Sequence, residues 1–193
     1  MKRIVLLLLL FVSLSAWADE RGEKRLERIS RYYSSLGSYS ISFVLRAGGG
    51  EQRGELQVEG NSSYMKIADT ELFVEDSLRY EVRPSAKEIV IDRADVYEKG
   101  LLNPLTGFAS IAKEYNVEEC EVDGRIAVRL TPKTSDEIVY IVTAIDGESI
   151  ARIQYGAGEN KAEVEIIRTQ KGNESCPRFK KECYKGFELI DFR

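Results

Sequence analysis

Apolar residues along the chain follow two rhythms, and the switch between them marks the elements. From Glu20 to Leu36 they step by three and four. Leu26, Ile29, Tyr33 and Leu36 share one side, while Arg21, Lys24, Arg25, Glu27, Arg28 and Arg31 take the other. That spacing predicts an amphipathic helix, and Gly37 is placed to end it. Glu20, Glu23 and Glu27 interleave with the basic residues, so the polar side reads as a solvated face rather than a membrane-binding one.

Beyond Gly37 the period falls to two. Tyr39, Ile41, Phe43 and Leu45 alternate with Ser40, Ser42 and Val44, and Leu56 and Val58 alternate with Glu55, Gln57 and Glu59. Further strands are predicted at Ser63–Ala68, Glu71–Glu75, Leu78–Arg83 and Glu88–Asp92. The breaks between them (Asp69-Thr70, Asp76-Ser77, Pro84-Ser85) are short, which favours antiparallel hairpins. The same rhythm returns at Asn116–Val122 and Arg125–Thr131, joined by Asp123-Gly124, a pair suited to a type I′ turn. Glu137–Ile145, Ser149–Tyr155 and Lys161–Thr169 follow, with a closing strand within Gly186–Arg193.

One stretch between the strand blocks is helical in pattern. In Leu101–Tyr115 (LLNPLTGFASIAKEY), Asn103 suits an N-cap and Pro104 the first helical position. Leu105, Phe108, Ile111, Ala112 and Tyr115 then recur on one face, and Gly107 weakens the helix by about 1 kcal/mol. A short apolar helix among strands needs a surface to cover. The pattern as a whole predicts an α+β, mostly antiparallel fold without a parallel crossover: a strongly curved sheet or half-open barrel of about 10–11 strands with a helical lid. A sheet of that size encloses more space than its own side chains readily fill.

The start of the chain has a different character. Lys2 and Arg3 precede the apolar run Ile4–Leu14, and Ala16-Trp17-Ala18 is a small-x-small cleavage site. The run is 11 residues, against the roughly 20 needed to span a membrane, so residues 1–18 read as a signal peptide cleaved after Ala18. The mature part, 19–193, suits one domain with its own core. Removing Lys2 and Arg3 leaves 26 basic against 32 acidic residues, a net charge of −6 with no basic block, which argues against nucleic acid as a partner.

The chain contains no histidine, which removes Ser-His-Asp and Cys-His catalysis and imidazole metal sites. No metal or cofactor is expected. Three cysteines enter an oxidising compartment. Cys176 and Cys183, seven positions apart, are the natural disulfide pair, although either pairing with Cys120 stays open. Such a bridge would contribute roughly 2.5 kcal/mol in the chain-entropy model. Glu, Asp and Tyr are available for acid–base catalysis. The acids fall mostly on the polar phase of strands or in turns, however, so a non-enzymatic protein is expected.

In order along the chain, several segments resemble the LolA family of periplasmic lipoprotein carriers. Leu26–Phe43 (LERISRYYSSLGSYSISF) is similar to the family's opening helix and first strand, and Arg53–Val58 (RGELQV) to its glycine-led second strand. Leu72–Tyr80 and Glu88–Asp92 follow as the next strands. Asn103-Pro104-Leu105 sits where the family opens its lid helix. Arg129–Lys133 (RLTPK) and Phe187–Arg193 (FELIDFR) resemble a strand end and the closing strand of one branch. Two positions depart from the pattern: Glu59-Gly60-Asn61 replaces an Arg-Pro whose arginine is associated with holding the lid shut, and Asp76-Ser77 replaces an Asp-Gly turn.

The resemblance implies a monomeric periplasmic carrier that binds acyl chains in an apolar cavity. It would shuttle lipoproteins between an inner-membrane release complex and an outer-membrane acceptor. Tyr39, Ile41, Phe43, Leu56, Val58, Met65, Leu78 and Tyr80 are then expected to form the sheet wall, with Leu105, Phe108 and Ile111 contributed by the lid. The alternative is a related module for free lipids or for sensing envelope lipoproteins.

Overall fold

A computed structural model of the chain describes residues 20–94, 111, 113–135, 137–156, 161–172 and 175–193. The expected signal peptide and most of Leu101–Tyr115, including Leu105 and Phe108, lie outside them. Helix α1 occupies 20–36, as the three-four spacing predicts. Twelve strands follow among the described residues: β1 (Ser38–Ala47), β2 (Gly50–Glu59), β3 (Ser62–Ile67), β4 (Thr70–Glu75), β5 (Leu78–Arg83), β6 (Glu88–Arg93), β7 (Tyr115–Val122), β8 (Arg125–Pro132), β9 (Val139–Thr143), β10 (Ile150–Tyr155), β11 (Ala162–Lys171) and β12 (Glu188–Asp191).

They form one curved, unclosed sheet in the order β12-β6-β5-β4-β3-β2-β1-β11-β10-β9-β8-β7. Two runs of consecutive hairpins, β1–β6 and β7–β11, are joined where β1 pairs with β11 from Tyr39↔Lys171 to Arg46↔Glu163. The mostly antiparallel class expected from the alternation is the one observed. Two details differ. Tyr115, expected as the last residue of the second helix, opens β7. And β12 runs parallel to β6, with Leu189 opposite Ile89 and Ile190 opposite Val90. A parallel neighbour requires a crossover, and the segment leading into β12, residues 175–187, forms part of it behind the sheet.

Helix α1 lies on one face, here called the inner face. Leu26, Ile29 and Tyr33 are buried there with Tyr39, Ile41 and Phe43 of β1, Leu56 and Val58 of β2, and Val128, Leu130, Ile141, Ile153 and Val164 of β8–β11. The rings of Tyr33 and Tyr39 meet at 5.0 Å. Gly22 lets the helix start close on β7, since a Cβ there would stand 2.7 Å from the Val117 carbonyl oxygen. Arg25 fixes the same end by donating to Glu119 at 2.8 Å and to the Gly147 carbonyl at 2.9 Å.

The crossover has a core of its own on the back face. Phe179, Tyr184 and Phe187 pack against Phe73, Tyr80, Val82, Ile89 and Ile91. Phe179 stacks on Tyr80 at 4.3 Å and on Tyr184 at 5.8 Å. Glu71 accepts the hydroxyls of Tyr64 at 2.9 Å and Tyr184 at 2.6 Å. Cys176 is buried in this segment with Sγ 3.5 Å from the Gln57 carbonyl, whereas Cys183 is exposed in a 3-10 turn (Lys181–Cys183). The expected Cys176–Cys183 bridge is not formed in this structure, because the first thiol is anchored against β2 and the second faces solvent. Cys120 is also free.

The inner face as a candidate lipid site

Residues directly opposite each other in an antiparallel pair share a face, so the register assigns every strand position. One row of the inner face runs Ile166, Phe43, Gly54 and Ile67 across β11, β1, β2 and β3. The next runs Thr169, Ile41, Leu56, Met65, Leu72, Glu81, Val90 and Ile190, from β11 through β6 to β12. Two local devices keep these rows apolar. A bulge on β11 leaves Ile167 without a partner between Ile166 and Arg168, which turns Arg168 to the back beside Ser42. Gly54 leaves room for the Phe43 ring, whose Cε2 would lie 2.7 Å from a Cβ at that position and whose Cζ would lie closer still.

The sequence-predicted wall divides in two. Tyr39, Ile41, Phe43, Leu56 and Val58 are on the inner face, each buried to 3% exposure or less under or beside α1. Met65 is half-buried at the fringe of the same cluster, and Ile111 is a buried member of it. Tyr80 pairs with Phe73 and Leu78 with Glu75, which puts both on the back face. There Tyr80 is part of the aromatic cluster under the crossover, and neither residue belongs to the wall.

The apolar positions that α1 leaves half-buried are therefore Leu45, Met65, Ile67 and Ile166, with Tyr115 and Tyr155 at the far end. Leu72 extends the same row, also half-buried. Alternation pointed to Leu45 as inward, and Met65 was among the expected wall residues; Ile67, Leu72 and Ile166 needed the register. At β5 the face turns polar: Arg79 Nη2 lies 3.9 Å from Glu81 and 4.0 Å from Asp92. These charges interrupt the apolar row before it resumes at Val90 and Ile190.

Electrostatics favours apolar contents. Desolvation raises the phenol pKa of Tyr33 and Tyr39 far into the core, and that of Tyr155 to about 12, so all three stay neutral at physiological pH. The Tyr33 oxygen accepts the Ile150 backbone N–H at 3.3 Å. Among the described residues, no group of three or more Cys, Asp or Glu is arranged to hold a metal ion, and no helix is long and apolar enough to cross a membrane.

No protein-family model matches the sequence, and no curated protein matches it. Solved structures do. An uncharacterized conserved protein from Thermus thermophilus aligns over 88% of this chain and 98% of its own, with a TM-score of 0.59 at 9% identity. A DUF1329 family protein from Desulfovibrio piger aligns over 88% and 98%, with a TM-score of 0.48 at 10% identity. A putative outer membrane lipoprotein-sorting protein domain from Vibrio parahaemolyticus aligns over 86% and 97%, with a TM-score of 0.38 at 9% identity. The last two are looser matches. With the Thermus protein, what this chain shares is the fold.

Proposed function

We propose that the mature chain is an exported, non-enzymatic carrier that holds the acyl chains of lipoproteins on its inner face and moves them from inner to outer membrane. The observation that carries this reading is the set of half-buried apolar side chains Leu45, Met65, Ile67, Leu72 and Ile166, which share one face of the sheet with the buried core. Removing a sixteen-carbon chain from water is worth on the order of 12 kcal/mol, at ~0.8 kcal/mol per methylene. A partly covered surface offsets that burial and still lets cargo leave. The signal-peptide pattern of residues 1–18 and the resemblance to LolA supply the export and the cargo.

One observation favours the second reading, a related module for free lipids or for sensing lipoproteins. Glu59, near the family's missing arginine, serves the back of the sheet. Its carboxylate accepts the Cys176 N–H at 3.1 Å and faces Arg178 at 3.5 Å.

The test is native mass spectrometry of the purified protein, together with retention of a palmitoyl probe by Leu45→Asp and Ile67→Asp variants whose circular dichroism is unchanged. Co-purified acylated peptide, lost in both variants, supports carriage. Phospholipid without peptide moves the choice to the second reading. Probe retention that both variants leave intact would sink the inner face as the site.

A further inference from the structure

At the end of the sheet where β7 begins and β8 stops, a hollow of about 770 Å³ opens on the inner face. Ligand sites fall in this size range and combine an apolar floor with a few placed polar groups. Tyr115, Pro132, Val139 and Tyr155 line the floor. Tyr115 and Tyr155 also pack on the main core, so the floor is continuous with the stripe described above. Burial raises the pKa of both phenols, Tyr155 to about 12, and each hydroxyl is therefore a donor at neutral pH. Glu114 and Glu137 line the same hollow as Tyr115.

Exposed charges of both signs ring the mouth: Lys113 and Lys133 against Glu114 and Glu137. Lys133 Nζ donates to the Lys113 carbonyl at 3.0 Å, tying the two lysine-bearing segments together. A simple anion would meet two carboxylates here, and a simple cation two ammonium groups. A ligand carrying both charges satisfies the whole rim.

We infer that this hollow takes the zwitterionic head group of a diacyl amphiphile. The phosphate lies toward Lys113 and Lys133, the ammonium toward Glu114 and Glu137, and the acyl chains pass over Val139 and Tyr155 onto the inner face. The inference rests on the acyl-binding reading above in its second form, a module for free lipids.

The experiment measures retention of dioleoyl phosphatidylethanolamine, dioleoyl phosphatidylglycerol and palmitate by the mature protein and by a Glu114→Gln/Glu137→Gln variant. The ethanolamine lipid should bind the mature protein up to about fivefold tighter than the glycerol lipid, the discrimination an exposed ion pair supplies. The variant should bring the two within about twofold, while its thermal midpoint shows that it is folded. Equal binding of both lipids to the mature protein, or a preference that the variant keeps, overturns the head-group site and leaves the carrier reading standing. Failure to retain any of the three probes removes both.

Discussion

Replacing Gly54 with alanine tests how the inner face is assembled. The Phe43 ring lies across the strand pair on top of Gly54. A Cβ there would meet Cε2 at 2.7 Å, the Lys66 carbonyl oxygen at 3.0 Å and Cζ at less than either distance. Ordinarily alanine would stabilise a strand interior by roughly 0.5–1 kcal/mol over glycine. Here the methyl displaces a ring that is 2% exposed, and overpacking of that kind costs about 1–3 kcal/mol. The second effect wins, for a net loss of about 1–2 kcal/mol and a melting point lowered by about 2–8 °C for a chain of this length. The same substitution in a Phe43→Ala background has no ring to displace. There it should be neutral or slightly stabilising, the gain held down by the Lys66 carbonyl. Urea unfolding of the four proteins, followed by far-ultraviolet circular dichroism, gives the cycle. Equal destabilisation by Gly54→Ala in both backgrounds would refute the ring–glycine account.

Gly22→Ala should also destabilise, by about 1–3 kcal/mol, although alanine is the better helix former. The new methyl meets the Val117 carbonyl at 2.7 Å; a raised melting point would show that α1 does not sit so close to β7. Thiol titration should count three free cysteines in denaturant. Without denaturant Cys183 should react first and Cys176, buried and raised to about 11, last. A count of one thiol would restore the disulfide expected from spacing. Alkaline stability follows from the tyrosines. The folded-state pKa of Tyr155 is raised to about 12 from 10, so its contribution is complete below pH 10 and is lost as pH rises toward 12. Absorbance at 295 nm and circular dichroism should therefore change together in that window, whereas ionisation of all ten tyrosines near pH 10 with the fold intact would contradict the burial.

Helix α1 and the strands were legible because each keeps one period, and Leu26, Ile29 and Tyr33 or Tyr39, Ile41 and Phe43 are buried where the pattern puts them. The shared face of distant strands was harder to read, since alternation gives two faces for each strand and the pairing register decides which of them match. The turn between β3 and β4 was placed at Asp69-Thr70, on the residues that favour turns. The chain turns one position earlier, with Ala68 at φ 51° and Ile67 opposite Thr70. Moving a two-residue turn by one position shifts the register by two, so Met65 gains Leu72 as its partner while every face is kept. Tyr80 lies on the back because it stands opposite Phe73, a pairing that the alternation of β5 alone does not show. The hollow at Tyr115 and Tyr155 joins residues far apart in the chain, and no local pattern brings them together.

The β1–β11 pairing described above also sets a kinetic problem. Each hairpin run can form from neighbours in the chain. The seam between them must instead bring Tyr39 to Lys171 and Arg46 to Glu163, across most of the mature length. Contacts of such long sequence separation form late, because loop closure must come before they reward it. Until they form, both runs carry an unpaired edge and an uncovered apolar face, the two features that make intermediates aggregate. A chain built this way depends on whatever shields it between synthesis and the closing of that one seam.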